Sequence, residues 1–163
     1  MWVSGLKGKW NHRTPKVSYN LPILGITDDE TVMLDFDNTS FKWVKYWALR
    51  ACRWFKLNGF IILKSSKNCY HVVFDRKVSW RKNMHIVAWV CLLSKHRKLT
   101  RWFIMQCIKE KGSTLRVSPK SGNPNPKPSP RVVYRYGKQD GQIREFLNYR
   151  KMLKNIINKM EMA

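Results

Sequence analysis

The sequence predicts an α+β domain, a small mixed or antiparallel sheet flanked by helices. Short apolar runs of strand length, such as Phe60-Ile61-Ile62-Leu63, alternate with longer stretches whose apolar residues recur at helical spacing. From Thr31 to Asp75 the order is strand, helix, strand, polar turn, strand, which is the layout of a sheet with helices packed on it. Hydrophobic residues make up 44% of the 163 residues and include 8 Trp, 7 Phe and 6 Tyr, enough for a packed core and too many for wholesale disorder.

The same composition bounds the partners. Lys and Arg number 32 against 10 Asp and Glu, a formal charge of +22, and the pI is near 10.3. Such a field repels copies of itself and attracts polyanions, so nucleic acid is the leading partner and an anionic membrane surface the second. No apolar run approaches the length that spans a bilayer, and Met1-Trp2-Val3-Ser4-Gly5-Leu6-Lys7 lacks a signal-peptide core. An intracellular setting with no membrane is therefore expected. Cys52, Cys69, Cys91 and Cys107 are widely spaced, with no C-x-x-C pair and no clustered histidines. A zinc site is not expected, and three of the four, set in apolar stretches, read as small buried hydrophobes.

Taken in order, residues 1–30 form a basic N-terminal arm, with Lys7, Lys9, Arg13 and Lys16 interleaved with Trp2, Trp10 and Tyr19. It either lies along phosphates and stacks on bases or is an extension pinned to the core by its aromatics. Asp28-Asp29-Glu30 reads as a solvated turn that leads into a strand from Thr31 to Phe36. Residues 31–136 form the core. Asn38-Thr39-Ser40 supplies capping chemistry for a helix from Phe41 to Leu57, whose stripe is Phe41, Val44, Ala48, Ala51, Cys52 and Phe55. Asn58-Gly59 ends it, and strands follow at Phe60–Leu63 and Cys69–Asp75. Ser79 caps a second helix, Trp80 to Ser94, with Met84, Val87, Ala88, Cys91 and Leu92 facing inward. Strands are expected at Trp102–Ile108, Thr114–Ser118 and Arg131–Tyr136. Residues 119–130 hold a Pro-rich loop, a flap or semi-rigid spacer, too rich in proline to join a sheet. Residues 137–163 make a basic C-terminal helix with the stripe Ile143, Phe146, Leu147, Leu153, Ile156 and Ile157, which packs on the sheet or mediates self-association.

The chemistry concentrates between Leu34 and Val73. In Leu34-Asp35-Phe36-Asp37 the two acids alternate onto one face of a strand and can share one hard cation. A chain this basic has little other reason to hold them side by side, although a strand end whose acids offset nearby Lys and Arg gives the same pattern. Ser65-Ser66-Lys67-Asn68 is a short polar turn able to present backbone N–H groups and a cation to a phosphate. His71 follows it, on the same strand face as Val73 and Asp75.

Order and spacing of these two motifs resemble the archaeo-eukaryotic primase superfamily, including the primase-polymerases of archaeal plasmids and viruses. That family carries a D-x-D after an apolar run, then a serine-containing turn closely followed by a histidine. The resemblance covers about Val32 to Val117. It implies an RRM-like catalytic core and metal-dependent nucleotidyl transfer on a single-stranded template, in replication of a plasmid or virus-like element. Asp35 and Asp37 would hold Mg2+ or Mn2+, and His71 with Ser66 and Lys67 would bind the phosphates of an incoming nucleoside triphosphate. Arg116, and beside it Lys120, would add positive charge there; Arg116 serves equally as a contact to template backbone. The family's third motif is a metal-binding acid on a strand before a basic one, and here Gln106 stands where that acid is expected. Glu110, Asp75 or a substrate phosphate would have to substitute.

Lys42, Lys45, Arg53, Arg131 and Arg135, with Arg144, Arg150, Lys151 and Lys154, are assigned to nucleic-acid backbone. Trp43, Trp54, Tyr134 and Tyr136 either stack on unpaired bases or lie in the core. The alternatives to a primase-polymerase are a non-catalytic DNA-binding replication protein on the same fold and a metal-dependent nuclease using Asp35 and Asp37; replication partner proteins are implied in either replication role.

Overall fold

The computed structural model describes residues 2–6, 23–109, 111–120 and 127–161. In chain order the elements are β1 (Trp2–Leu6), β2 (Ile23–Asp28), β3 (Thr31–Asp37), α1 (Phe41–Trp54), β4 (Gly59–Ser66), β5 (Cys69–Lys77), α2 (Trp80–Ser94), α3 (Arg97–Cys107), β6 (Ser113–Arg116), β7 (Arg131–Gly137) and α4 (Gln142–Glu161). They form an α+β arrangement of two antiparallel sheets, ordered β3-β5-β4-β7 and β1-β2-β6, with helices. β3 and β4 run in the same direction; α1 crosses between them and β5 lies antiparallel in the gap.

Period two sorts the larger sheet into two buried faces. Val32, Leu34, Phe36, Phe60, Ile62, Val72 and Phe74 pack against α1, α2 and α3. Met33, Ile61, Leu63 and Val73 pack the other way, against Ile26, Leu115 and Val117 beside the smaller sheet and against Ile143, Phe146 and Leu153 of α4. Ser40 and Ser79 cap α1 and α2 as expected, accepting from the Trp43 and Lys82 amides. α1 stops at Trp54, short of the expected Leu57. Lys56 and Asn58 take φ of 53° and 68°, which swings Leu57 into the core. Gly59 and Gly137 then pass so closely that a Cβ on Gly59 would lie 2.1 Å from the Lys138 carbonyl oxygen.

Three expectations are corrected. Trp102–Ile108 is not a strand but lies in α3 and the residue after it. His96 caps that helix, its Nδ1 accepting from the Leu99 amide at 3.1 Å, and Leu99, Trp102, Phe103 and Gln106 fall on one helical face. That face outweighs the strand-like aromatic content. In α2 the buried stripe is Asn83, Ile86, Val87, Val90, Cys91 and Ser94, while Leu92 is 75% exposed. Nearly every residue from Ile86 to Leu93 is apolar, so periodicity alone could not orient the helix. The acid turn is not uniformly solvated either: Asp28 is buried and accepts from the Thr31 hydroxyl and the Gln142 amide. Asp29 and Glu30 pair with Lys111 and Lys77 at 2.6 and 2.8 Å.

Residues 1–30 contribute β1 and β2, whereas Lys7, Lys9, Trp10, Arg13, Lys16 and Tyr19 lie outside the described residues. All four cysteines are free, Cys52, Cys69 and Cys91 buried and Cys107 exposed. No helix among the described residues is long and apolar enough to cross a membrane.

α4 packs on the second face through Ile143, Phe146 and Leu153. Its start is held by Asp75 of β5, a buried carboxylate accepting from the Gly141 amide at 3.1 Å and the Ile143 amide at 3.0 Å. A side chain sixty-six residues away in sequence thus does the work of an N-cap. Asp75→Ala is expected to cost about 2–3 kcal/mol, because several charge-assisted bonds vanish at once. Urea unfolding midpoints would show it; an unchanged midpoint contradicts the role.

Candidate functional site

β3 and β5 pair so that Asp35 lies opposite His71 and Asp37 opposite Cys69. Both acids share the face of Met33, away from α1, α2 and α3, and His71 shares the face of Val73. His71 Nε2 lies 3.5 Å from Asp35 Oδ1, a contact longer than a normal hydrogen bond. The histidine side chain is 5% exposed and the Asp35 side chain 24% exposed. Packing therefore closes over the imidazole and leaves the first carboxylate an opening.

The hairpin between β4 and β5 turns at Lys67 and Asn68, with Asn68 at φ 55°. The Thr39 amide donates to the Asn68 carbonyl at 2.9 Å, tying the start of α1 to this turn. The end of the acid strand and the polar turn thus meet at one end of the sheet. Ser66 and Lys67 line an open cleft of about 700 Å³ with Lys64, Lys127, Ser129 and Arg131. Arg116 joins the cleft walls: its guanidinium donates to the Ser65 carbonyl at 3.3 Å and to the Pro128 carbonyl at 3.0 Å. The legs of the Pro-rich loop are pinned too, by mutual Lys120–Lys127 backbone bonds of 2.8 and 2.9 Å and by Arg150 donating to the Pro130 carbonyl. Residues 121–126 of that loop lie outside the described residues.

Burial dominates the electrostatics. It pushes the Asp35 carboxyl up to about 7; the neighbouring Asp37 adds to this, and Lys127 and Arg116 oppose it. Burial also pushes the His71 imidazole down to about 3, helped by Arg116 and Lys127 and opposed by Asp37. The close pair is thus held toward its neutral forms rather than as an ion pair. Arg116 is lowered by burial and raised by Asp35 and Asp37, so the guanidinium and both acids share one field.

Two carboxylates on one strand face suit a magnesium-type ion, which takes one or two protein carboxylates and completes its shell with phosphate oxygens and water. Among the described residues no group of three or more His, Cys, Asp or Glu side chains is placed to hold a metal ion. Of the residues named for a third ligand, Asp75 is engaged in capping α4 and Glu110 lies outside the described residues. Gln106 sits on α3, its amide donating to the Trp102 carbonyl while its oxygen accepts from Lys109 and from the Thr114 amide.

The other candidates divide by surface. Arg131 lines the cleft, while exposed Arg135 donates to Gln139 at 2.6 Å. Lys42, Lys45 and Arg53 lie on α1, on the opposite side of the larger sheet from the acids, with the Lys45 ammonium 4.4 Å over the Tyr134 ring. Lys120 contributes backbone bonds at the loop neck. Sequence reasoning missed Lys127, which acts on both Asp35 and His71, and His96, which feels Asp37. No local pattern marked Lys127; only the return of the Pro-rich loop brings it there.

Stability should record these shifts. From the ordinary carboxylate value of 3.8 up to about 7, the folded chain holds an Asp35 proton that the unfolded chain has lost, so the Asp35 contribution falls as pH rises. His71 has the opposite sign: an unfolded imidazole protonates near 6.5 and the folded one near 3, so its contribution rises with pH across that window. Asp35→Asn removes the falling component, and its urea midpoints should climb more steeply than those of the wild type between about pH 4 and 6.5. Parallel pH profiles for the two proteins would contradict the assignment. No protein-family model, curated protein or solved structure matches this chain.

Proposed function

We propose that the chain is a primase-polymerase-like nucleotidyltransferase domain acting on single-stranded template. The observation that carries this reading is the register of Asp35 against His71 beside a cleft lined by Lys64, Ser66, Lys67, Lys127 and Arg131. A two-carboxylate corner next to a cation-lined cleft suits a metal-bound triphosphate, because phosphoryl transfer relies mainly on positioning and charge neutralisation. A sheet with α1, α2 and α3 on one face and the acids on the other also suits the RRM-like core that the resemblance implies.

In this reading Asp35 and Asp37 hold Mg2+ or Mn2+, which supplies Lewis-acid charge at the triphosphate. Ser66 and Lys67 take the outer phosphates, Arg116 and Lys127 neutralise charge between cleft and acids, and Arg131 extends the cationic wall toward the template. His71, nearly closed off and held neutral, stands behind Asp35 within the sheet and backs the carboxylate rather than touching the nucleotide. Lys120 keeps the loop neck closed so that Lys127 stays in the cleft. A terminal hydroxyl of the growing strand would attack the α-phosphorus, its proton passing to water, while the bond from that phosphorus to the oxygen bridging to the β-phosphate breaks and pyrophosphate leaves.

A second reading is a non-catalytic nucleic-acid-binding replication protein, favoured by the placement of Gln106 on α3, its side chain occupied by Trp102, Lys109 and Thr114, rather than on a strand that would carry a third ligand to the acids. Labelled nucleotides, primed and unprimed single-stranded DNA and manganese separate the readings. Template-dependent extension by the wild type, reduced on the order of a hundredfold or more in Asp35→Ala/Asp37→Ala, supports the first. Salt-sensitive binding with no extension leaves the second, and metal-dependent shortening of the strand indicates a nuclease. Lys67→Ala should raise the nucleotide KM several-fold with a smaller change in kcat; an unchanged KM removes Lys67 from the phosphate site.

A further inference from the structure

We propose a second site on the helical layer, a track for single-stranded nucleic acid running from Trp43 along α1 to the pocket at the start of α2. It does not rest on the cleft being catalytic. The helices α1, α2 and α3 contain no Asp or Glu, so Lys and Arg are their permanently charged side chains. The acids of the chain cluster elsewhere, on β2, β3 and the turn between them above all. The helices therefore present a positive potential to a polyanion.

On the same surface large aromatic rings are exposed yet held in fixed orientation. Trp43 is 40% exposed, Tyr46 50% and Trp54 71%. Trp43 stacks on Tyr46 at 6.3 Å and 27°, and both set their edges against Trp47, at 5.9 and 5.3 Å. Trp47 meets Trp89 at 6.4 Å, and Trp54 lies nearly flat on Trp89, at 6.1 Å and 17°. Cations alternate with the rings: Arg50 sits 5.0 Å from the Trp47 centroid and Lys82 5.0 Å from that of Phe55. A ring already stacked on one side and open on the other loses little freedom when a base stacks on it.

Trp54 also forms one wall of a pocket of about 430 Å³ that includes Phe55, Lys56, Arg76 and Lys82. Lys77 is there as well, but Glu30 neutralises it at 2.8 Å. A base on Trp54 would place its phosphate among Lys56, Arg76 and Lys82. The exposed aliphatic side chains Leu92, Leu93, Ile104 and Met105 belong to the last turns of α2 and to α3. The track itself is built of rings and cations, the combination that suits bases and phosphates better than acyl chains.

Fluorescence anisotropy of a labelled single-stranded oligonucleotide tests this, with anionic phospholipid vesicles in a parallel sedimentation assay. Trp54→Ala removes an exposed ring and should weaken oligonucleotide binding about tenfold with little change in salt slope. Lys56→Ala/Lys82→Ala should instead flatten the salt slope by about 0.7 for each phosphate left without its lysine. Leu92→Ala, an exposed side chain on the last turn of α2 and outside the track, should leave both quantities as in the wild type. Wild-type affinity in Trp54→Ala together with an unchanged slope in the lysine pair would overturn the track. Loss of vesicle binding in Trp54→Ala with oligonucleotide affinity intact would overturn it in favour of a membrane-facing surface.

Discussion

Phe60, Ile61, Ile62 and Leu63 are all fully buried because helices cover one face of the larger sheet while the smaller sheet and α4 cover the other. A polar group on such a sheet must find partners or change its protonation. Several do the former. Asp75 caps α4, Asn83 donates to the Asp29 and Thr31 carbonyls, and Asp28 is joined by Thr31 and Gln142. Asp35 and His71 face one another at 3.5 Å, and burial drives each toward its neutral form. An arriving cation would change that balance, since a metal competes directly with the Asp35 proton. The same packing that holds the sheet together thus sets the protonation of Asp35.

The charge of the chain is divided as unevenly as its burial. Asp28, Asp29, Glu30, Asp35 and Asp37, half of the ten acids, fall on a single stretch of β2 and β3. The cleft beside them and the helical layer behind them are left to Lys and Arg. One surface combines acids with cations, as a metal-bound triphosphate would need. The other combines aromatic rings with cations, as an unpaired strand would need. The proposed site and the proposed track therefore occupy opposite sides of one sheet and draw on different chemistry.

The local features of this division were legible in the sequence. Alternation over Leu34–Asp37 and Cys69–Asp75 puts the acids and His71 on the strand faces they occupy, and Ser40 and Ser79 mark the helix starts. What escaped depends on distant pairing. β2 finds β6 far along the chain, with Thr27 bonded to Thr114 across eighty-seven residues, and nothing in either segment names its partner. The use of Asp75 as a cap and of Lys127 as a neighbour of Asp35 has the same non-local origin. α3 departs from expectation for a different reason. Trp102-Phe103-Ile104 is strand-like in composition, and only packing of Leu99 and Gln106 on one face decides for a helix.

In the proposed function the acids at 35 and 37 and the cationic cleft grip one metal-bound triphosphate together. Water-proton relaxation of Mn2+ solutions measures this directly, since a protein-bound ion with slowed tumbling enhances the relaxation. The enhancement should grow when a nucleoside triphosphate is added and be lost in Asp35→Asn/Asp37→Asn. An enhancement indifferent to the nucleotide, or undiminished in that variant, would contradict it.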